Sequence, residues 1–122
     1  MLKKRYRLTK HGSFAFVYRK GENKASAAFS LFYVKSTSLK VGFSVSNKLG
    51  KAVVRNKLKR RMRAVVLSLM PLPKYQIVIV AKEKASELSF DEIKAQITRL
   101  LSKALPQNSF GKYYEEKAQK TD

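Results

Sequence analysis

The chain has 122 residues, 44% of them hydrophobic, with 27 Lys and Arg against 8 Asp and Glu and a formal net charge of +19. That length and apolar content suit one domain with one buried core and exclude a disordered basic peptide. There is no cysteine, which removes disulfides, thiol nucleophiles and thiolate metal sites and fits a reducing cytosol. The longest apolar runs are too short to span a bilayer, and the opening MLKKRYRLTK lacks the apolar stretch of a signal peptide. Self-repulsion from so much positive charge is tolerated best when the working state is bound to an anion.

Residues 1–10 read as an extended basic arm. Thr9 caps a short helix running to about Arg19, with Gly21 as its stop signal. Phe14, Val17 and Tyr18 share one face of it. Glu22 to Ser26 reads as a polar loop. Ala28 to Lys35 alternates as a strand: Phe29, Leu31 and Tyr33 on one side, Ser30, Phe32 and Val34 on the other. After a turn at Ser36 to Leu39, Lys40 to Ser46 returns as a second strand. Val41, Phe43 and Val45 face one way; Gly42, Ser44 and Ser46 give the other face a small, polar surface suited to the floor of a groove.

Ala52 to Met70 reads as a long helix closed by Pro71 and Pro73. Val54, Leu58, Met62, Val65 and Leu69 recur at helical spacing and point to the core. Arg55, Asn56, Lys59, Arg60 and Arg63 cover the opposite half, with Lys57 and Arg61 flanking the apolar stripe. Tyr75 to Lys82, YQIVIVAK, reads as a central strand covered on both faces. Ser89 to Glu92 is a capping box opening a last helix, with Ile93, Ile97, Leu100, Leu101 and Ala104 inward and Pro106 beyond its end. Residues 107–122 form a polar tail, with a short helix over Lys112 to Lys117. No internal repeat or domain boundary appears, and the order is α-β-β-α-β-α.

The densest chemistry lies between Lys48 and Arg63. Lys48, Lys51, Arg55, Lys57, Lys59, Arg60, Arg61 and Arg63 crowd there, and no acid occurs anywhere from Asn23 to Lys82. Solubilising surfaces intersperse both signs, so so one-sided a helix points to structured recognition of nucleic acid. A membrane-bound helix usually puts Trp, Phe or Leu on its apolar face; this face has no aromatic, and its aliphatics recur at core-helix spacing. Phe14, Tyr18 and Phe32 are placed to line an aromatic groove above Ser44 and Ser46, beside Lys48. Unpaired bases stack on such rings while phosphates meet cations. His11, the only histidine, sits in a basic stretch and reads as a surface side chain. Asp91 and Glu92 fall in a helix's first turn, where they complement its dipole. No catalytic set and no phosphate-cradling glycine loop is evident.

At VGFSVSNKLGKAVVRNKLKRRMR the chain resembles the protein subunit of bacterial ribonuclease P. That family carries a G-hydrophobic-S-V-S strand, a K-x-G-x-A-V turn and an R-N-R-x-K-R helix. The matching residues are Gly42, Ser44, Val45, Ser46, Lys48, Gly50, Ala52, Val53, Arg55, Asn56, Lys59 and Arg60. The opening KKRYRLTKHGSFAFVYRKG and the later YQIVIVAKEKASELSFDEI resemble the family too, with Phe14 and Tyr18 at its paired aromatic positions. Lys57 replaces the second arginine, which keeps charge but loses a bidentate fork. Asn47 stands where a basic residue is frequent, and Phe32 where tyrosine is.

The resemblance implies a single α/β (α+β) sandwich with a central mixed sheet. It also implies a left-handed βαβ crossover through Gly42–Ser46, Ala52–Met70 and Tyr75–Lys82, against the usual right-handed rule. It implies a catalytic RNA partner with bound Mg2+, hydrolysing the 5′ leader from precursor tRNA, and no cofactor held by the protein. The basic helix, with Lys51, Arg55, Asn56, Lys57, Lys59, Arg60, Arg61 and Arg63, would meet the RNA subunit. Phe14, Tyr18, Phe32, Ser44, Ser46 and Lys48 would meet the single-stranded leader. The expected setting is cytoplasmic, without membrane attachment and without a protein oligomer. The rivals are a ribosomal-protein-like or RNA-chaperone module, and a self-sufficient nuclease using Asp91 and Glu92.

Overall fold

The structure, a computed structural model, describes residues 6–8, 11–70 and 72–105, with the backbone alone for residues 11–13. Helix α1 spans His11–Lys20, followed by strands β1 (Glu22–Ala25), β2 (Phe29–Lys35) and β3 (Lys40–Val45). A 3-10 turn at Asn47–Leu49 leads into helix α2 (Ala52–Ser68). Strand β4 (Tyr75–Ala81), a second 3-10 turn at Glu83–Glu87 and helix α3 (Phe90–Ala104) complete the order. Thr9, the residues of the tail and most of the basic arm lie outside the described residues.

The sheet runs β1-β2-β4-β3. β1 and β2 are antiparallel, as are β2 and β4, while β3 and β4 are parallel and joined through α2. Strand β4 is central because it can be buried on both sides. Ile77 and Ile79 enter the main core, and Val78 enters a smaller cluster on the opposite face. The main core lies between the sheet and α2 with α3. Phe29, Leu31, Val41, Met62, Ile93, Ile97 and Leu101 are all under 2% exposed there, and burying each such side chain stabilises by roughly 1.5–3 kcal/mol. Helix α1 covers the other face.

Three expectations need correction. Glu22–Ala25 is an edge strand and not a loop. Its ENKA sequence shows no alternation because solvent bathes both its sides. Backbone pairing to β2, from Glu22↔Tyr33 to Ala25↔Ser30, holds it instead, and charged side chains on such an edge discourage pairing with other chains. The end of the basic arm runs beside the sheet, where Arg7 bridges Val41 in parallel and the Leu8 N–H donates to the Val41 carbonyl at 2.9 Å. Helix α2 stops at Ser68, with Leu69 as its C-cap. Val54 is 41% exposed instead of buried, because the first turn of α2 packs beside the Glu83–Glu87 turn, whose Ala85 and Ser86 are too small to cover it.

Other local signals hold. The Ser89 hydroxyl accepts the Glu92 N–H at 3.2 Å, and the Glu92 carboxylate accepts the Ser89 N–H at 3.1 Å. Those bonds, the backbone one first, hold the Glu92 carboxyl below its usual range. Capping therefore accounts for Glu92.

Candidate nucleic-acid interface

Strand register assembles the α1 face of the sheet row by row. Phe32, Val78 and Gly42 lie side by side in one row, and Ser30, Val80 and Ser44 in the next. Helix α1 sits on the first row. A Cβ added at Gly42 would lie 2.6 Å from Cζ of Phe14, so glycine is what lets that ring lie on the strand. Val17 is fully buried in the same cluster as Val78. Tyr18 meets Phe32 edge to face, with ring centroids 4.9 Å apart and planes at 89°. The second row is only half-buried, so beside α1 the sheet face is left partly open, as a shallow trough with that row for its floor.

Phe14, Tyr18, Phe32 and Ser44 are thus brought to one face. Their exposure differs. Phe14 and Phe32 are half-buried packing rings, and Tyr18, 41% exposed, is the ring most open to a ligand. Ser46 has left the strand. Its hydroxyl oxygen accepts the Lys48 N–H at 3.2 Å and caps the Asn47–Leu49 turn, leaving its own O–H to donate. That turn presents Lys48 to solvent. Ser30 and Val80 complete the floor, though no motif marks them; only the register of β2 and β3 on β4 reveals their place. Lys82, just past β4, is tied by its Nζ to the Ser26 carbonyl at 2.8 Å.

The cations of α2 fall on two flanks. Arg55, Lys59 and Arg63, four residues apart, are half-buried along one. Lys57 and Arg61 lie on the other, against the Glu83–Glu87 turn. Arg61 reaches the Leu88 carbonyl at a long 3.5 Å. Asn56 and Arg60 are exposed on the outer ridge together with Val53, Ala64 and Leu67, so the outward half of the helix is less purely basic than its periodicity suggests. Lys51, the N-cap residue, makes no side-chain cap. Arg55 is not an open cation. Its Nη1 donates to Asn47 Oδ1 at 2.9 Å and its Nε to the Gly50 carbonyl at 3.1 Å. It staples both ends of the turn that carries Lys48. Gly50 holds φ at 127°, a conformation open to glycine, and that kink swings the chain from β3 into α2.

The trough lies on the α1 face of the sheet and the cationic flanks belong to a helix packed on the opposite face, with the Ser46–Gly50 turn between them. Against that geometry the family model described as Ribonuclease P matches residues 2–105. The chain belongs to the ribonuclease P protein family. The ribonuclease P protein component of Bacillus velezensis is 40% identical over 106 residues, covering 84% of this chain and 91% of that protein. That of Symbiobacterium thermophilum is 38% identical over 108 residues, covering 84% and 94%. The solved Staphylococcus aureus RNase P protein superposes with a TM-score of 0.77 at 28% identity, covering 84% of this chain and all of that one.

Membership gives the chain the role of ribonuclease P protein subunit: an RNA-binding part of a tRNA-processing endoribonuclease, partnered with the RNase P RNA. The ribosomal-protein or chaperone reading finds no support in these relatives. No helix among the described residues is long and apolar enough to cross a membrane.

Proposed function

We propose that the protein bridges two RNAs. The flanks of α2, with Lys51, Asn56, Lys57, Lys59, Arg60, Arg61 and Arg63, grip the RNase P RNA. The α1 trough takes the single-stranded 5′ leader of precursor tRNA. Bases stack on the open Tyr18 ring, with Phe14 and Phe32 shaping the wall beside it. Ser30 and Ser44 offer hydroxyls from the floor, and Lys48 and Ser46 meet the backbone where the trough ends. The observation that carries this reading is the separation of an aromatic, hydroxyl-lined trough from the cationic helix by the thickness of the sheet. A chain with one undivided basic patch would hold one RNA; this one offers a distinct surface for each.

Bond cleavage is assigned to the RNA subunit, with Mg2+ held there for hydrolysis of the leader. Among the described residues no three His, Cys, Asp or Glu side chains converge where a metal would sit. The protein's part is to orient the leader, hold its bases apart from competing pairing, and neutralise phosphates that would otherwise repel. The setting is the cytoplasm, where precursor tRNA is met.

The decisive experiment mixes purified protein with precursor tRNA in Mg2+, with and without transcribed RNase P RNA. Leader removal should require the RNA. Asp91→Ala with Glu92→Ala should leave the cleavage step of the complex unchanged. Specific cutting by nuclease-clean protein alone would overturn the assignment.

A further inference from the structure

Valine at the start of a helix and open to water gains neither burial nor helix propensity, yet Val53 is 78% exposed and Val54 41% exposed on adjacent positions of α2. They border a cleft of about 280 Å³ between α2 and the Glu83–Glu87 turn. Leu58 and Ala85, both buried, supply the rest of its apolar wall. The rim is of another kind: Lys57 and Arg61 on the helix side, and the Ser86 hydroxyl on the turn side. Glu83 and Glu87 belong to the same turn but neither lines the cleft. A site below the usual ~300–1,000 Å³ of ligand pockets suits one flat ring system rather than a folded ligand or a peptide side of a protein interface. An apolar slot rimmed by cations, without an acid in its wall, matches an occupant with an apolar face and a negative tether.

We propose that this cleft receives one unpaired nucleotide of the RNase P RNA. The base lies against the valine and leucine side chains, and the Arg61 guanidinium, already drawn to this side by the Leu88 carbonyl, covers its other face. Ser86 accepts or donates at the base edge while Lys57 takes the flanking phosphate. The α2 surface then does more than attract a backbone. Phosphate contacts position an RNA but carry no sequence information, whereas an extruded base is read by stacking and edge contacts. The cleft would set the register of the RNA subunit on the helix. This inference rests on the reading that α2 binds that RNA.

The test uses the full chain and the transcribed RNase P RNA. Val53→Thr with Val54→Thr keeps shape and charge while exchanging two methyls for hydroxyls. Affinity should fall by roughly four- to tenfold per valine, with the salt dependence unchanged and no loss of melting temperature. Arg60→Ala, measured alongside, should weaken binding and flatten the salt dependence by about one unit. If Arg60→Ala changes nothing, the α2 reading itself fails; if it behaves as expected and the valine pair binds like wild type, only the cleft proposal is overturned. The chain has no cysteine, so Ser86→Cys offers a unique thiol for an azidophenacyl photo-crosslinker. Crosslinks should collect on one unpaired nucleotide, and deleting it should make wild type and the valine pair equal. Crosslinks spread along paired helices would overturn the proposal. So would concentration-dependent dimers of the RNA-free chain that the valine pair abolishes, since a second copy would then own the surface.

Discussion

Gly42→Ala tests the trough with one methyl group. The new Cβ would stand 2.6 Å from Cζ and 2.8 Å from Cε1 of Phe14, and 3.2 Å from Cβ of Leu8. Two effects oppose. Gly42 has no positive φ, so alanine fits the backbone and should stabilise by roughly 0.4–1 kcal/mol through the unfolded chain. Overpacking against the ring costs about 1–3 kcal/mol. The clash should win, for a net loss of about 1–2 kcal/mol, read as a lower urea midpoint with an unchanged slope. Phe14→Leu removes both clashing ring atoms. In that background Gly42→Ala should lose its penalty and become neutral or stabilising, a coupling of roughly 1–3 kcal/mol. Followed by circular dichroism through urea, the four proteins of this cycle settle whether the Phe14 ring rests on Gly42. The same loss in both backgrounds would refute the packing on which the trough depends. In the holoenzyme, Gly42→Ala should weaken precursor tRNA more than mature tRNA, because the displaced ring closes on the leader's path.

Tyr18→Ala should weaken holoenzyme binding of precursor tRNA about five- to a hundredfold, from ~1–3 kcal/mol of stacking. It should spare mature tRNA and lower the melting temperature only slightly, through loss of the roughly 0.5–1.5 kcal/mol of its edge contact with Phe32, whereas equal losses for both ligands would make Tyr18 a packing residue. Binding of the RNA subunit should fall with salt at a log–log slope of roughly −0.7 to −0.9 per phosphate engaged. Arg60→Ala and Arg63→Ala should each flatten that slope by about one unit. Arg55→Lys should keep it while speeding amide exchange across residues 46–50, because a lysine cannot bridge Asn47 and Gly50 together; a changed slope with unchanged exchange would make Arg55 a phosphate contact instead. Ser89→Ala should cost about 1 kcal/mol near neutral pH through the lost cap. The Glu92 carboxyl is held below its usual range, so its contribution is present above the unfolded-state value and fades as pH falls through the folded one. Glu92→Gln should therefore flatten the acid limb of the stability curve, and an unaltered limb would show the carboxylate gains nothing from the cap.

Much of this protein was legible along the chain because the signals were local. The YQIVIVAK run, the SFDE box and the 2-residue alternation of Phe29 to Val34 each depend on neighbours a few positions apart, and each formed the expected element. So did the pairing of Phe14, Tyr18, Phe32 and Ser44 on one face, since parity along a strand and spacing along a helix set the side to which a residue turns. Charge was legible too: it is a property of composition, and +19 favours a polyanionic partner in any fold. What tertiary structure decided was everything that depends on register and on partners distant in sequence. Glu22–Ala25 became a strand only because β2 offered it an edge. Ser30 and Val80 joined the trough only through their rows on β4. Val54, inward by periodicity, opened to solvent because the element opposite its helix turn was a short 3-10 segment with small side chains. Arg55, one cation among eight in sequence, became a staple because Gly50 bends the chain until Asn47 comes within 2.9 Å. Periodicity states which way a residue points; only the packed fold settles what stands in front of it.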